Sequence, residues 1–182
     1  MWPALLTTLR GLTGVTRVLL ITGDWSDVPS STVSAADLEA AAADVIHRLH
    51  DTTLISIAAL SGAVRGPALR LALACTLRLA ASDAVLLVDD VEAGSAPPAD
   101  VAVTLREVLG FAGALELAVT GRPLTAPEAV ARGIALPGTP DDARRLAATI
   151  LTAPDVAVRE TVAALRCGAA EQPGPHGMLH PR

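Results

Sequence analysis

Apolar residues in this chain fall in short runs, and their period switches between strand-like and helix-like at small polar turns. The densest run, Leu54–Ala81, reads LISIAALSGAVRGPALRLALACTLRLAA. It predicts a strand over Leu54–Leu60, a turn over Ser61–Gly66, a helix over Ala68–Cys75 and a strand over Leu77–Ala81. Nearly every position is apolar, so strand and helix are expected to be buried on all sides rather than amphipathic. Upstream, the pattern gives a short helix over Ala4–Leu12, a strand over Val18–Ile21 and a polar loop over Gly23–Ser34. Ser34 suits an N-cap, with Asp37 and Leu38 opening a helix through about Leu49. Downstream come a strand near Ala84–Val88, an acidic loop over Asp89–Ala99, and helices over Val101–Leu109 and Ala112–Thr120 with Gly110 between them. A helix over Pro127–Arg132 stops at Gly133 in the C′ position. Two amphipathic helices, Asp141–Leu151 and Asp155–Leu165, flank Ala153-Pro154. The alternation of strands and helices predicts an α/β fold.

The turn before the central helix holds Gly62 and Gly66, where backbone can bend tightly or approach a ligand. A helix starting there offers unpaired N–H groups to a developing negative charge. Composition sets limits on the remaining options. A chain of 182 residues, 51% hydrophobic, suits one domain over residues 1–167, with the Pro/Gly-rich Gly168–Arg182 as a flexible tail. No apolar run is long enough to span a membrane, and the start lacks the basic head and cleavage site of a signal peptide. Net charge of −5 without a basic cluster argues against nucleic acid. Cys75 and Cys167 are too few for a disulfide framework, so a reducing, cytoplasmic setting is expected.

The stretch Gly62-Ala63-Val64-Arg65-Gly66-Pro67-Ala68-Leu69-Arg70-Leu71-Ala72-Leu73-Ala74-Cys75-Thr76 resembles, without a gap, the G-x-A-x-G-G-G-x-E-L-A-x-x-C-D signature of the crotonase (enoyl-CoA hydratase/isomerase) superfamily. Thr16–Gly23 is similar to that family's V-R-V-V-V-L-T-G strand. Leu115–Ala129 is similar to its E-L-x-L-T-G-x-x-I-x-A-x-E-A segment, and Ala131–Ile134 to the A-x-x-G-L-V that follows. The resemblance covers roughly residues 15–165. It implies a spiral of β-β-α units with outer helices. The chain looks truncated at both ends, without the family's first strand pair and most of its last helix. Val18–Ile21 is then an open sheet edge, and self-association or a crotonase-like or synthase partner is expected.

The resemblance also says where chemistry belongs. Family members hold a thioester oxygen with two backbone N–H groups, each commonly worth a few kcal/mol. The first maps to the turn, beside Gly66, at Pro67, and proline has no N–H. The second maps near Val33-Ser34-Ala35-Ala36-Asp37-Leu38, where Ala35 or Ala36 keeps the role or the segment is only a helix cap. Hydratases of the family divide acid and base work between two glutamates. The first position is Arg70, which cannot exchange a proton. The second is Asp90, beside Asp89, either serving as acid/base or pairing with Arg70 across the old pocket. Arg65 is a candidate for a phosphate or carboxylate, with a solvated turn as the plain alternative.

His47 and His50 read as helix-end or exposed residues, Cys75 as core, and Ser30-Ser31-Thr32 as loop. Nothing matches a nucleotide loop or a zinc site, and His176 and His180 lack metal spacing. No cofactor is expected beyond a coenzyme A thioester as substrate. Two functions follow: an isomerase- or lyase-like enzyme on acyl-CoA or carrier-bound acyl thioesters using Asp90, or a silent accessory subunit. The latter is similar to the crotonase-like proteins that assist polyketide-type synthases, such as those helping to make dihydroxyphenylacetyl-CoA.

Overall fold

The computed structural model describes residues 2–12, 16–25, 35–50 and 54–170. The elements run α1 (Trp2–Arg10), β1 (Val18–Ile21), α2 (Ala35–Leu49), β2 (Ile55–Leu60), β3 (Ala63–Arg65), α3 (Gly66–Ala74), β4 (Leu77–Ala80), β5 (Val85–Leu87), α4 (Ala99–Thr120), β6 (Leu124–Thr125), α5 (Ala126–Ala131), β7 (Leu136–Pro137), α6 (Pro140–Thr152) and α7 (Asp155–Ala170). A four-stranded parallel sheet has the order β1-β2-β4-β7, and a three-stranded sheet has the order β3-β5-β6. Each of β2-β3-α3 and β4-β5-α4 sends its first strand to the larger sheet and its second to the smaller one. This is the expected β-β-α spiral. β1 is an edge strand of the larger sheet.

β2 is buried at all six positions because it is covered on both faces. On one face Ala58 and Leu60 join α2, α3 and α4 in the main core; on the other Ile57 and Ala59 meet Leu146, Ala147 and Ile150 of α6. Alternate side chains of one apolar strand therefore feed two cores, which explains why its sequence does not alternate. Arg17 ties the outer layer together. Its guanidinium donates to the carbonyls of Ala153 (2.8 Å) and Leu151 (3.3 Å) at the end of α6, and pairs with Asp155 of α7 at 2.9 Å.

Several boundaries differ from the sequence expectation. α3 begins at Gly66 rather than Ala68: Gly66 bends the chain at φ 51°, and Pro67 brings a φ already suited to a first turn. The stretch read as the Ser61–Gly66 turn contains β3, which is too short to show a period. β6 and β7 were equally invisible at two residues each. α1 lies earlier than Ala4–Leu12. α7 continues through Gly168 to Ala170, past the expected end of the helix at Leu165; one glycine costs about 1 kcal/mol and the alanines after it favour helix. The Ser34 cap lies outside the described residues.

Gly110 separates the two halves of α4 as expected, at φ 70° and ψ 168°. A Cβ there would meet no atom within 4 Å, so the requirement for glycine comes from backbone alone. Gly110→Ala should cost about 2 kcal/mol through that strained region, read as a lower denaturant midpoint at unchanged m-value.

Candidate functional site

The register of the small sheet builds the site. β3 and β5 run parallel with Arg65 opposite Leu87, so the chain leaves both strands at the same end. From β3 it passes directly into Gly66 and Pro67 at the start of α3. From β5 it passes into Asp89 and Asp90. The glycine-proline turn and the acidic loop are thereby brought side by side. Arg65 and Asp89 face each other at 3.9 Å, with the arginine side chain 62% exposed. Arg65 is thus a solvated residue at the mouth, partly neutralised by Asp89. Asp90 is half-buried and opens a tight turn in which its carbonyl accepts from the N–H and hydroxyl of Ser95.

Pro67 sits in the first turn of α3, where the N–H it lacks would have had no partner within the helix. The fold loses nothing by the proline. A ligand oxygen at this helix start loses one donor. Ala35 and Ala36 lie in the first turn of α2, where N–H groups have no acceptor within the helix.

Arg70 does not pair with Asp90. Its Nη1 and Nη2 donate to the two carboxylate oxygens of Glu39 on α2 at 2.6 and 2.8 Å. Its Nε donates to Asp100 at the start of α4, at 2.9 and 3.1 Å. α3 is otherwise apolar from Ala68 to Ala74, and a guanidinium on it is buried only because two carboxylates meet it. The alignment offered Asp90 as the partner. Topology instead turns that residue into the β5 exit, while α2 and α4 pass over the face of α3 that carries Arg70. Sequence gave no distance from which to find Glu39 or Asp100; the need of a buried arginine for two acids was the available signal. Hydrogen bonding to Arg70 holds the Glu39 carboxyl below the usual carboxylate range, and the two carboxylates hold Arg70 firmly protonated.

The other end of α3 is held by Arg78, whose guanidinium donates to the carbonyls of Leu73 (3.1 Å), Cys75 (2.7 Å) and Ile134 (2.6 Å). Cys75 is buried beside Ser56, and burial pushes its thiol up to about 12. It is core, as expected. Among the described residues no cluster of histidine, cysteine, aspartate or glutamate has the makings of a metal site, and no helix is long and apolar enough to cross a membrane.

The enoyl-CoA hydratase/isomerase family model matches residues 12–175. A Bacillus subtilis protein named "Probable enoyl-CoA hydratase" is 39% identical over 87 residues, 48% of this chain and 34% of that protein. The bovine mitochondrial enoyl-CoA hydratase domain-containing protein 2 is 38% identical over 122 residues, 62% of this chain and 41% of that protein. The matched stretches thus span only about a third to two fifths of these relatives. Among solved structures, a Thermobifida fusca YX protein assigned as an enoyl-CoA hydratase, in complex with CoA, superposes with a TM-score of 0.79 at 26% identity over 96% of this chain and 76% of that one. The same assignment in complex with acetoacetyl-CoA gives 0.77 at 26%, over 94% and 77%.

Glu39→Gln should lower stability by about 1 kcal/mol at neutral pH, since Glu39 is largely exposed and its pairing is screened. Because pairing lowers the carboxyl pKa in the folded state, its contribution is present above the unfolded value and lost as pH falls through the folded one. Urea titrations of both proteins should therefore differ at pH 7 and converge as the solution is acidified. The match of residues 12–175, with the crotonase-like architecture around this turn, places the chain in the enoyl-CoA hydratase/isomerase family.

Proposed function

We propose that this protein binds acyl thioesters of coenzyme A or of a carrier protein and does not carry out ordinary enoyl-CoA hydration. The observation that carries the reading is Arg70, locked between Glu39 and Asp100 at the position where the family's hydratases keep a glutamate. A guanidinium held protonated neither takes nor gives a proton at working pH. Pro67 adds to it by removing one donor for the thioester oxygen. The relatives solved with CoA and acetoacetyl-CoA support the thioester as ligand. The role that fits is an accessory one beside a sister crotonase or a polyketide-type synthase, with the chain handling an intermediate made or consumed by its partner.

Losing one oxyanion donor alone costs about 10²–10³ in rate, so hydration of crotonyl-CoA should run at least about a hundredfold below an ordinary hydratase. A spectrophotometric assay of the loss of the conjugated thioester reads this directly. Turnover within tenfold of such an enzyme, about 1.4 kcal/mol in barrier, refutes the reading.

A second reading rests on the acidic loop beside the turn. Asp90 is half-buried at the exit of β5, following Asp89, which faces Arg65, and one carboxylate suffices to move a proton along an acyl chain. If Asp90 does this, Asp90→Asn abolishes double-bond isomerisation of an enoyl thioester while the melting temperature stays put. If isomerisation is absent from the parent protein, or survives in the variant, Asp90 has no catalytic part and the accessory role stands.

A further inference from the structure

The kink in α4 creates a concavity whose lining includes neither the glycine-proline turn nor Arg70, Asp89 or Asp90. Its volume is about 230 Å³, and Pro97, Ala102, Leu105, Phe111, Ala114 and Ala118 supply most of its wall. Leu105 belongs to the buried core, and Ala114 and Ala118 pack against it, so the floor is firm. Phe111, the sole phenylalanine of the chain, stands 69% exposed at the rim. The break at Gly110 is what opens the space. It ends one helical segment and starts another, and the short side chains of Ala102, Ala114 and Ala118 leave the angle between them unfilled.

The lining has one charged residue, Arg106. Among the described residues no carboxylate pairs with it, whereas Arg70, Arg122, Arg132, Arg144, Arg145 and Arg159 each have at least one. Its neighbour Glu107 is turned about 100° around the helix and is not part of the lining. An apolar cleft with a single uncompensated cation at its edge is complementary to an amphiphile with one negative charge. Size narrows the ligand. An engineered cavity of about 150 Å³ takes benzene, while drug-sized ligands need about 300 Å³ or more, so this groove suits one ring or a short alkyl chain. Charge narrows it again. A carboxylate matches one guanidinium, whereas a phosphate monoester would bring nearly two negative charges.

We propose that the α4 groove is a binding site for a small apolar monocarboxylate, an alkanoate or an aryl acid, with its tail on Leu105 and Ala114 and its carboxylate on Arg106. The site stands apart from the thioester reading and does not depend on it. Isothermal calorimetry on the full chain with octanoate, and with 1-octanol as the neutral match, tests it. Saturable octanoate binding is expected, tighter than that of octanol. Arg106→Gln should weaken octanoate about five- to tenfold, the loss of one charge-assisted contact at a partly exposed site, and leave octanol unchanged. Ala114→Leu, which fills the cleft, should abolish both while circular dichroism shows an intact fold. The absence of saturable binding at millimolar octanoate overturns the proposal, as does equal affinity for acid and alcohol. Binding that survives both substitutions overturns it too. So does light scattering that finds the parent self-associated and Phe111→Ser monomeric, since a second copy would then occupy the groove.

Discussion

The buried guanidinium of Arg70 is the interaction on which the arrangement of the site depends. It lies on α3, a helix of the main core that is apolar on nearly all sides. Left alone there it would be far too costly to bury, and one carboxylate would satisfy only part of its donor fork. Glu39 takes both terminal nitrogens and Asp100 takes Nε, so α2 and the first turn of α4 are drawn to α3 at a fixed distance and angle. Replacing the pair by apolar residues of similar volume could stabilise such a core as well. What apolar residues would not supply is direction. The planar fork meets Glu39 through two parallel bonds, and that sets how α2 approaches the start of α3.

Arg78 performs the complementary task at the other end of the helix. Its donors go to three carbonyls, those of Leu73 and Cys75 at the end of α3 and that of Ile134 near β7. A cation at a helix C-terminus is favoured by the aligned peptide dipoles, which offsets part of the burial that lowers its pKa. Beside it, Ser56 and Thr76 exchange a hydroxyl contact at 3.2 Å, and the Thr76 N–H donates to the Ser56 hydroxyl at 2.9 Å. Two arginines thus clamp α3, one through carboxylates and one through backbone.

Much of this fold was legible in the chain because burial leaves a periodic trace. β2, α3 and β4 are unbroken apolar runs, and α6 and α7 show helical alternation because only one face of each meets the sheet. Gly110 and Gly133 announced themselves, since both take φ values that other residues avoid. The short strands β3, β6 and β7 left no trace; two or three residues cannot display a period, and their pairing is imposed by what surrounds them. The site was half legible. The order of motifs located the turn, Pro67 and the acidic loop. It could not say that Arg70 reaches back to Glu39, because that contact depends on how α2 crosses α3, and local pattern carries no crossing angle.

Pro67 shows why architecture and chemistry can part company in this family. A proline in the body of a helix would break a backbone bond and push the chain aside, at about 3 kcal/mol or more. In the first turn it removes a donor that no residue of the helix was using, and its fixed φ suits the position. Stability therefore offers no resistance to the substitution, and the fold carries no sign of it. Only a ligand oxygen at the helix start would notice the missing N–H. Arg70 differs, since the fold holds it only through Glu39 and Asp100. Pro67 falls where folding is indifferent and oxyanion chemistry is not. The spiral of β-β-α units accommodates a proline in the first turn of α3 and an arginine at position 70 alike.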